Sequence, residues 1–452
     1  MTATIADLDR ARDIALDLSG WGRRFTFYQP RNFAFWGYLV LVGTGIFISV
    51  SRITRAFNAY GQAIALAVTL FAIYAALFWW FTQYVDHYAK LPAKLMVVAF
   101  LWGGFAATWT MAANANSTIL ALYAKAFGQS WALNWGAGLA APFTEEPAKG
   151  SGLLLLIALA PRLVRTAFDG FILGAFIGLG FQIVEDIAYA MTSAGSQFGA
   201  NQIGASIDTI VLRMVSGVAA HIVYSAIFCA GLIYLLGRPA EPRRVGRGLL
   251  LVTTPILLHG IWDSLGAIAG ASALKLVGLS VAVVVVALVI VVRVYESTVP
   301  REREFMRDVM TPEVARHVIS AAELGAMVGN RKARKAYRRT GRNRRECSRA
   351  RYVLNAAHDL ADALAAARGA DTEPGAHRPC GDRQNPRGRP DTMVSWGVTT
   401  PTGFVSRVHA VDRAWASGQL LGEPEETGVR LAGGGESSPE RVVSAPPHCA
   451  PA

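Results

Sequence analysis

The stretch FDGFILGAFIGLGFQIVEDIAYAM, residues 168–191, decides the fold class. A helix of these 24 residues is about 36 Å long, which is enough to cross the roughly 30 Å hydrocarbon core of a bilayer. Gly170, Gly174 and Gly178 recur every four residues and form a stripe that permits close packing against another helix. The stripe continues to Glu185, so we expect this carboxylate to face protein and not lipid.

The composition of the whole chain is typical of a membrane protein. Of its 452 residues, 52% are hydrophobic and 17% are charged, whereas an ordinary soluble domain has about 25% charged residues. The stretches 33–51, 56–85 and 95–124 contain no Asp, Glu, Lys or Arg. Apolar stretches of this length exclude a purely soluble globule. They also exclude an outer-membrane barrel, whose strands alternate over about ten residues.

We therefore predict an all-α polytopic membrane bundle of about eight transmembrane helices. The predicted spans are 33–51, 61–83, 95–112, 133–160, 168–191, 210–236, 248–268 and 274–293. Lys and Arg are concentrated before the first span, after the last span and in alternate loops. The positive-inside rule then predicts a multi-pass protein of the inner cell membrane with both termini in the cytoplasm.

Composition also predicts the domain organisation. We expect a cytoplasmic N-terminal segment, a transmembrane bundle, a cytoplasmic charged helical and basic segment, and a disordered tail, at residues 1–32, 33–293, 294–369 and 370–452. Residues 331–349 contain ten Lys or Arg and one acidic residue. We interpret them as a solvated segment beside anionic lipid headgroups, and binding of nucleic acid is the less favoured alternative.

Ionisable residues within the predicted spans lie in four consecutive helices. Such residues are costly in hydrocarbon and mark a functional site by default. They are Glu145, Glu146 and Lys149 in the fourth helix, Glu185 and Asp186 in the fifth, His221 in the sixth, and His259 and Asp263 in the seventh. Spacings of four residues place Glu145 with Lys149, and His259 with Asp263, on common helix faces. Asp186 leaves the glycine stripe, so we expect a smaller role for it, and we interpret Arg213 as structural.

This set of residues can activate a water molecule in two ways. One glutamate can accept the proton of water as a general base while a histidine orients it, and Lys149 or the second histidine can stabilise an oxyanion. Alternatively, His221, His259 and a glutamate such as Glu146 can hold zinc with an open position for water. The residues alone leave open whether the cofactor is none or a divalent metal such as zinc.

The motifs resemble those of the PrsW family of intramembrane proteases, which is related to the CAAX-prenyl endopeptidase and bacteriocin-immunity superfamily. They are EExxK at 145–149, FxxxED at 181–186, His221, and HxxxD at 259–263, and the resemblance covers about residues 33–293. It implies a helical-bundle peptidase that cleaves membrane-anchored proteins, with anti-sigma factors as a representative substrate class. It also implies a catalytic centre of Glu145, Glu146, Lys149, Glu185, His221, His259 and Asp263. The family is often described as metalloproteases, whereas its CAAX relatives resemble glutamate-dependent enzymes.

Two other classes of function share such residues. A proton-coupled transporter also needs buried acids and histidines, although it usually has repeated halves, which this sequence lacks. A non-catalytic membrane scaffold is the other alternative. The HExxH motif of common zinc peptidases is absent from the sequence.

Overall fold

The computed structural model describes residues 3–86, 88, 90–341 and 343–371, and within them the chain is helical without a β-strand. This confirms the predicted all-α class. The helices are α1 (Ile5–Ser19), α2 (Phe33–Val85), α3 (Ala93–Leu101), α4 (Ala113–Phe127), α5 (Gln129–Trp131), α6 (Ala137–Leu159), α7 (Ala167–Gly195), α8 (Gln202–Ser216), α9 (His221–Leu236), α10 (Val245–Asp263), α11 (Leu265–Ala269), α12 (Ala273–Ala315), α13 (Ala321–Val328), α14 (Arg331–Arg338) and α15 (Arg344–Asp371). Two π-helical stretches, Trp102–Ala112 and Ala132–Gly136, lie before α4 and α6. Most of the tail predicted at 370–452 lies outside the described residues.

Six helical segments of the described chain are long and apolar enough to cross a membrane. They are Phe33–Thr82, Ala93–Phe127, Ala167–Gly195, Gln202–Leu236, Val245–Asp263 and Ala273–Ala315. Helix α6 is not among them because it carries three charged residues within its 23. When α6 is added and Phe33–Thr82 is counted on both sides of its kink, the eight predicted spans are all accounted for.

Helix α2 differs from the prediction of an external loop at 52–60. The chain stays helical there and departs from helical geometry at Tyr60, with φ −130° and ψ 21°. A straight helix of 53 residues would be about 80 Å long, so the kink is what lets α2 fit a bilayer. Tyr60 lies near Gly195 at the end of α7, and Trp79 packs on Phe176 with ring centroids 4.9 Å apart. The second half of α2 therefore runs antiparallel to α7.

The glycine stripe of α7 is a contact surface for α9. A Cβ added at Gly170 would lie 2.6 Å from Ile233, one at Gly174 would lie 2.3 Å from the carbonyl oxygen of Ser225, and one at Gly178 would lie 2.2 Å from that of His221. These distances are too short for any side chain larger than hydrogen. The stripe therefore brings the backbone of His221 directly against α7 at Gly178, about two turns before Glu185 on the same helix.

The sixth predicted span, 210–236, is interrupted in the structure. Helix α8 ends at Ser216, a 3₁₀ turn covers Gly217–Ala219, and Ala220 is non-helical with φ −101° and ψ −125°. A Cβ at Gly217 would lie 1.6 Å from the amide nitrogen of Gln182, so the turn is pressed against α7. His221 is therefore the first residue of α9, where the positive end of the helix dipole favours nearby carboxylates.

The segments with the predicted cytoplasmic location meet on one face of the structure. Helix α12 continues without a break past 293, where we predicted the end of the bundle, and its far end packs on α1. The contacts that join these segments are the hydrogen bonds Arg12–Glu313, Trp21–Asp362, Gln29–Leu159, Arg238–Pro161, Arg301–Ala240 and Arg303–Tyr88. The termini of the described chain, at residues 3 and 371, thus belong to the same side of the bundle.

Candidate active site

The polar residues of the four predicted helices converge on one buried centre between α6, α7, α9 and α10. Glu146 and Lys149 are 0% exposed, His259 3%, Glu145 4% and His221 6%. Charged groups with so little access to water are stable only when each has close partners of opposite charge or hydrogen-bonding character. The hydrogen bonds and ion pairs of this centre therefore determine the positions of its side chains.

Lys149 lies in the middle of the network. Its Nζ is 2.8 Å from Glu146 Oε1, 3.3 Å from Glu145 Oε2 and 2.9 Å from His221 Nδ1. The predicted face shared by Glu145 and Lys149 is confirmed by this ion pair. An ammonium group has three hydrogens, and here each has an acceptor, so none is left for an oxyanion in this arrangement.

These contacts fix the tautomer of His221. An ammonium can only donate, so Nδ1 of His221 accepts from Lys149 and the ring hydrogen is on Nε2. That nitrogen lies 3.0 Å from Glu185 Oε2 and donates to it. The predicted inward orientation of Glu185 is thereby confirmed, since the glycine stripe directs its carboxylate to a histidine of α9.

His259 of α10 lies between three carboxylates. Its Nδ1 is 3.2 Å from Glu146 Oε1, and its Nε2 is 3.4 Å from Asp263 Oδ2 and 3.8 Å from Glu145 Oε2. The ring of Tyr224 stacks on it with centroids 5.5 Å apart. Because an ionised carboxylate such as that of Glu146 only accepts hydrogen bonds, Nδ1 of His259 carries hydrogen, and Nε2 faces the centre of the site.

Two further residues that we did not predict belong to the site. Arg213 of α8 donates from Nη2 to Glu185 and from Nε to Asp186, and it lies over the ring of Tyr189. Asn116 of α4 donates to Glu145 Oε1 at 3.0 Å. The sequence contained a signal for Arg213, because a charged residue in an apolar stretch is costly unless it is paired. It contained none for Asn116, since an uncharged amide just beyond the predicted span 95–112 does not indicate a functional site.

Asp186 is joined to the site only through Arg213. It is 1% exposed and, in the described structure, contacts neither histidine. This is consistent with its position off the glycine stripe and makes it a partner of Arg213.

The site is closed on one side and partly open on the other. Side-chain exposure is 0% for Lys149 and Glu146, but it is 18% for Glu185, 21% for Arg213 and 22% for Asp263. These three residues form the exposed rim of the site.

Three residues at the centre form a group that could hold a divalent metal ion. Within the described residues, one ligand atom each from Glu145, His221 and His259 lie within 4.8 Å of one another. Glu145 Oε2 is 3.8 Å from both His221 Nδ1 and His259 Nε2. The other nitrogen of each ring is bound to a carboxylate, Glu185 or Glu146, as is typical of metal-bound histidines.

The glutamate in this group is Glu145, whereas we predicted Glu146 as the candidate ligand. Oε1 of Glu146 is already shared by Lys149 and His259. Its Oε2 is buried and has no hydrogen-bond partner among the described residues. Glu146 thus lies behind the histidine, where it orients the ring.

Residues 91–292 match the model of the PrsW family intramembrane metalloproteases. The matched stretch contains every residue of the site described above, but it begins after α2, whereas we expected the resemblance from residue 33 on. No curated protein and no solved structure matches the chain. The match supports a peptidase located in the membrane and acting on membrane proteins.

The pairing of Arg213 with two carboxylates leads to a prediction about stability. Replacing Arg213 with Met leaves Glu185 and Asp186 without their cation, and breaking a buried pair in this way costs about 3–5 kcal/mol. We expect R213M to lower the thermal unfolding midpoint of the detergent-purified protein, and R213M/D186N to recover part of the loss. Arg293 is the matched control, because its side chain is 78% exposed. An R213M variant as stable as R293M would contradict this role for Arg213.

Proposed function

We propose that this chain is an intramembrane endopeptidase that hydrolyses peptide bonds of membrane-anchored proteins. The observation that carries the proposal is the position of Glu145 Oε2, 3.8 Å from each of two histidine nitrogens. A carboxylate oxygen held between two imidazole rings, in a buried site with a half-open rim, is suited to take a proton from water. The match of residues 91–292 to a protease family supports the same activity.

In the proposed mechanism Glu145 is the general base. Asn116 holds its Oε1. Its Oε2 accepts one hydrogen bond from Lys149 and has a further lone pair that can take a proton as water attacks the carbonyl carbon of the substrate. When the C–N bond breaks, Glu145 returns that proton to the leaving nitrogen, as a general acid. A positioned acid–base group of this kind raises the reaction rate about 10²–10⁴-fold.

His259 is the proposed donor to the oxyanion. Its Nδ1 is bound to Glu146, and its Nε2 lies 3.4 Å from Asp263. Carboxylates on both sides favour hydrogen on both nitrogens, and Nε2–H then faces the centre of the site, beside Glu145. Glu146 and Asp263 orient this ring, while Glu185 and Lys149 orient His221.

Glu145, His221 and His259 are also the residues that would hold a divalent metal ion. A bound ion would supply Lewis acidity and a more acidic water molecule. The roles of Glu146 and Glu185 in orienting the two rings are the same with or without the ion, because their contacts are to the nitrogens that face away from the centre.

The substrate class that we propose is a membrane-anchored protein of the anti-sigma-factor kind. The resemblance of the motifs to the PrsW family supports this class, and the rim lies among helices with exposed apolar side chains such as Val211 and Val215. A substrate helix in the bilayer can therefore approach the rim laterally. The proposed relation to the CAAX-prenyl endopeptidases rests on the motifs alone.

We predict that E145Q, E146Q and H221A each abolish cleavage while expression stays near normal. Each change removes the base or the orientation of a ring, whereas D186N should be milder because Asp186 acts only through Arg213. Comparative membrane proteomics of cells with the unmodified protein and with E146Q should reveal a full-length membrane protein that accumulates in E146Q. That protein is then the substrate for assays with purified enzyme.

The matched control for these variants is E296Q, an identical change at a side chain that is 61% exposed. Chelator added to the purified enzyme distinguishes the two mechanisms: a metal-dependent centre loses activity and regains it with added zinc, whereas a glutamate–histidine centre is unaffected. If purified E146Q cleaves the substrate as fast as the unmodified protein, the proposed protease site is wrong.

We also propose that the chain lies in the inner membrane, with α1, the part of α12 after residue 293 and α13–α15 in the cytoplasm. The Lys and Arg excess in the segments of this face supports the orientation. We expect cysteines at Ser130 and Ala200, which are exposed on the opposite side, to react with an impermeant maleimide in intact cells. A cysteine at the exposed Thr340 should react only after permeabilisation, and the reverse pattern would refute the orientation.

The basic helix α14 is proposed to lie against anionic headgroups. None of its residues is buried, and it begins two residues after Gly329, whose carbonyl accepts from Tyr88 just beyond the end of α2. We predict that a fluorophore on T340C shifts to the blue in nanodiscs with phosphatidylglycerol, but not in phosphatidylcholine alone. High salt, or the double change K332E/K335E, should abolish the shift, and a shift that persists in K332E/K335E would exclude α14 as the contact.

A further inference from the structure

The ammonium of Lys149 is held as a coordinated cation would be. Two carboxylate oxygens and one imidazole nitrogen lie within 3.3 Å of Nζ, and the face of the Phe181 ring covers it at 4.0 Å from the centroid. The side chain is 0% exposed, so no other group competes with these contacts from solvent. Every direction around the charge is therefore occupied by an acceptor, an aromatic face or the lysine's own chain.

Two of the three atoms that accept hydrogen bonds from Lys149 belong to residues that would also be ligands of a metal ion. Glu145 Oε2 and His221 Nδ1 each contact Nζ, and both belong to residues of the group that could hold an ion. A carboxylate oxygen has several lone pairs, but an imidazole nitrogen has one. Nδ1 of His221 can accept from Lys149 or bind a metal ion, but it cannot do both at once.

The charge balance of the site favours the presence of a cation at the position of Lys149. Five carboxylates surround the centre, and two side chains carry a fixed positive charge. The acids are Glu145, Glu146, Glu185, Asp186 and Asp263, and the cations are Lys149 and Arg213. Removing Lys149 leaves an uncompensated negative charge at the closed end of the site, which favours the entry of another cation.

We infer that Lys149 is the resident cation of this centre and that a divalent metal ion can use His221 only after Lys149 releases it. Lys149 is thus a positioning residue that holds Glu145, Glu146 and His221 in place and lowers the affinity of the same atoms for metal. This inference concerns the site of the proposed function. Its test measures metal binding and not cleavage, so either conclusion can fail alone.

The experiment compares zinc binding by tag-free full-length protein in detergent for the unmodified chain and K149M. Competition with a chromophoric chelator gives the apparent dissociation constant. We expect K149M to bind one zinc ion at least about tenfold more tightly than the unmodified protein. The added change H259A should remove this gain, which shows that the ion is at the centre and not at a cysteine or a surface histidine.

Two control variants separate this effect from a general change of charge. K149R keeps a cation at the position and should bind zinc no more tightly than the unmodified protein. K275M removes a lysine that is exposed at the start of α12 and should leave the affinity unchanged. Equal or weaker zinc binding by folded K149M than by the unmodified protein would overturn the inference.

Thermal unfolding provides a second measurement that does not require a stable metal-free variant. A ligand that binds only the folded state raises stability in proportion to the logarithm of its concentration over the dissociation constant. Zinc should therefore raise the unfolding midpoint of K149M or K149Q markedly and that of the unmodified protein little. If neither variant folds even with zinc, the ion cannot replace the ammonium, and the inference fails.

Discussion

The ammonium of Lys149 is the interaction on which the rest of the site depends. It is fully buried and contacts two carboxylates of its own helix α6 and a histidine of α9. Each of these partners is in turn bound by a residue of another element: Glu145 by Asn116, Glu146 by His259, and His221 by Glu185. In a medium where an unpaired charge costs several kcal/mol, this chain of partners lets five acidic groups exist at the centre of a helical bundle.

The packing of α7 is what makes those distances possible. Gly170, Gly174 and Gly178 leave room for the backbone of α9 on one side, and a Cβ at Gly180 would lie 2.0 Å from the carbonyl oxygen of Phe100 on the other. In hydrocarbon, helices gain little from burying apolar surface, and close contact through small residues takes its place. The glycines lie where the polar side chains must meet, and the helix break at Ala220 places His221 at the start of α9, beside Glu185.

Much of this could be predicted from the sequence, because it depends on the periodicity of a single helix. The common faces of Glu145 with Lys149 and of His259 with Asp263, and the inward orientation of Glu185, follow from spacing along one helix. Arg213 and Asn116 were missed because their roles depend on which helices are neighbours. The helical course of residues 52–60 was also missed, since Arg52 and Arg55 are typical of a loop, although Arg52 lies over the ring of Trp109 at 4.4 Å.

The distribution of exposure explains how a site can be both stable and reactive. The groups that lock the network, Lys149 and Glu146, are 0% exposed, while the rim residues Glu185 and Asp263 are 18% and 22% exposed. The exposed side of the site is therefore the one where histidine nitrogens face carboxylates, and not the side of the ion pair. Because the carboxylates outnumber the fixed cations, the centre has an excess of negative charge that protons or a metal ion would neutralise. A purely structural network does not require an excess of buried negative charge. Buried ionisable groups that are not fully compensated are characteristic of functional sites.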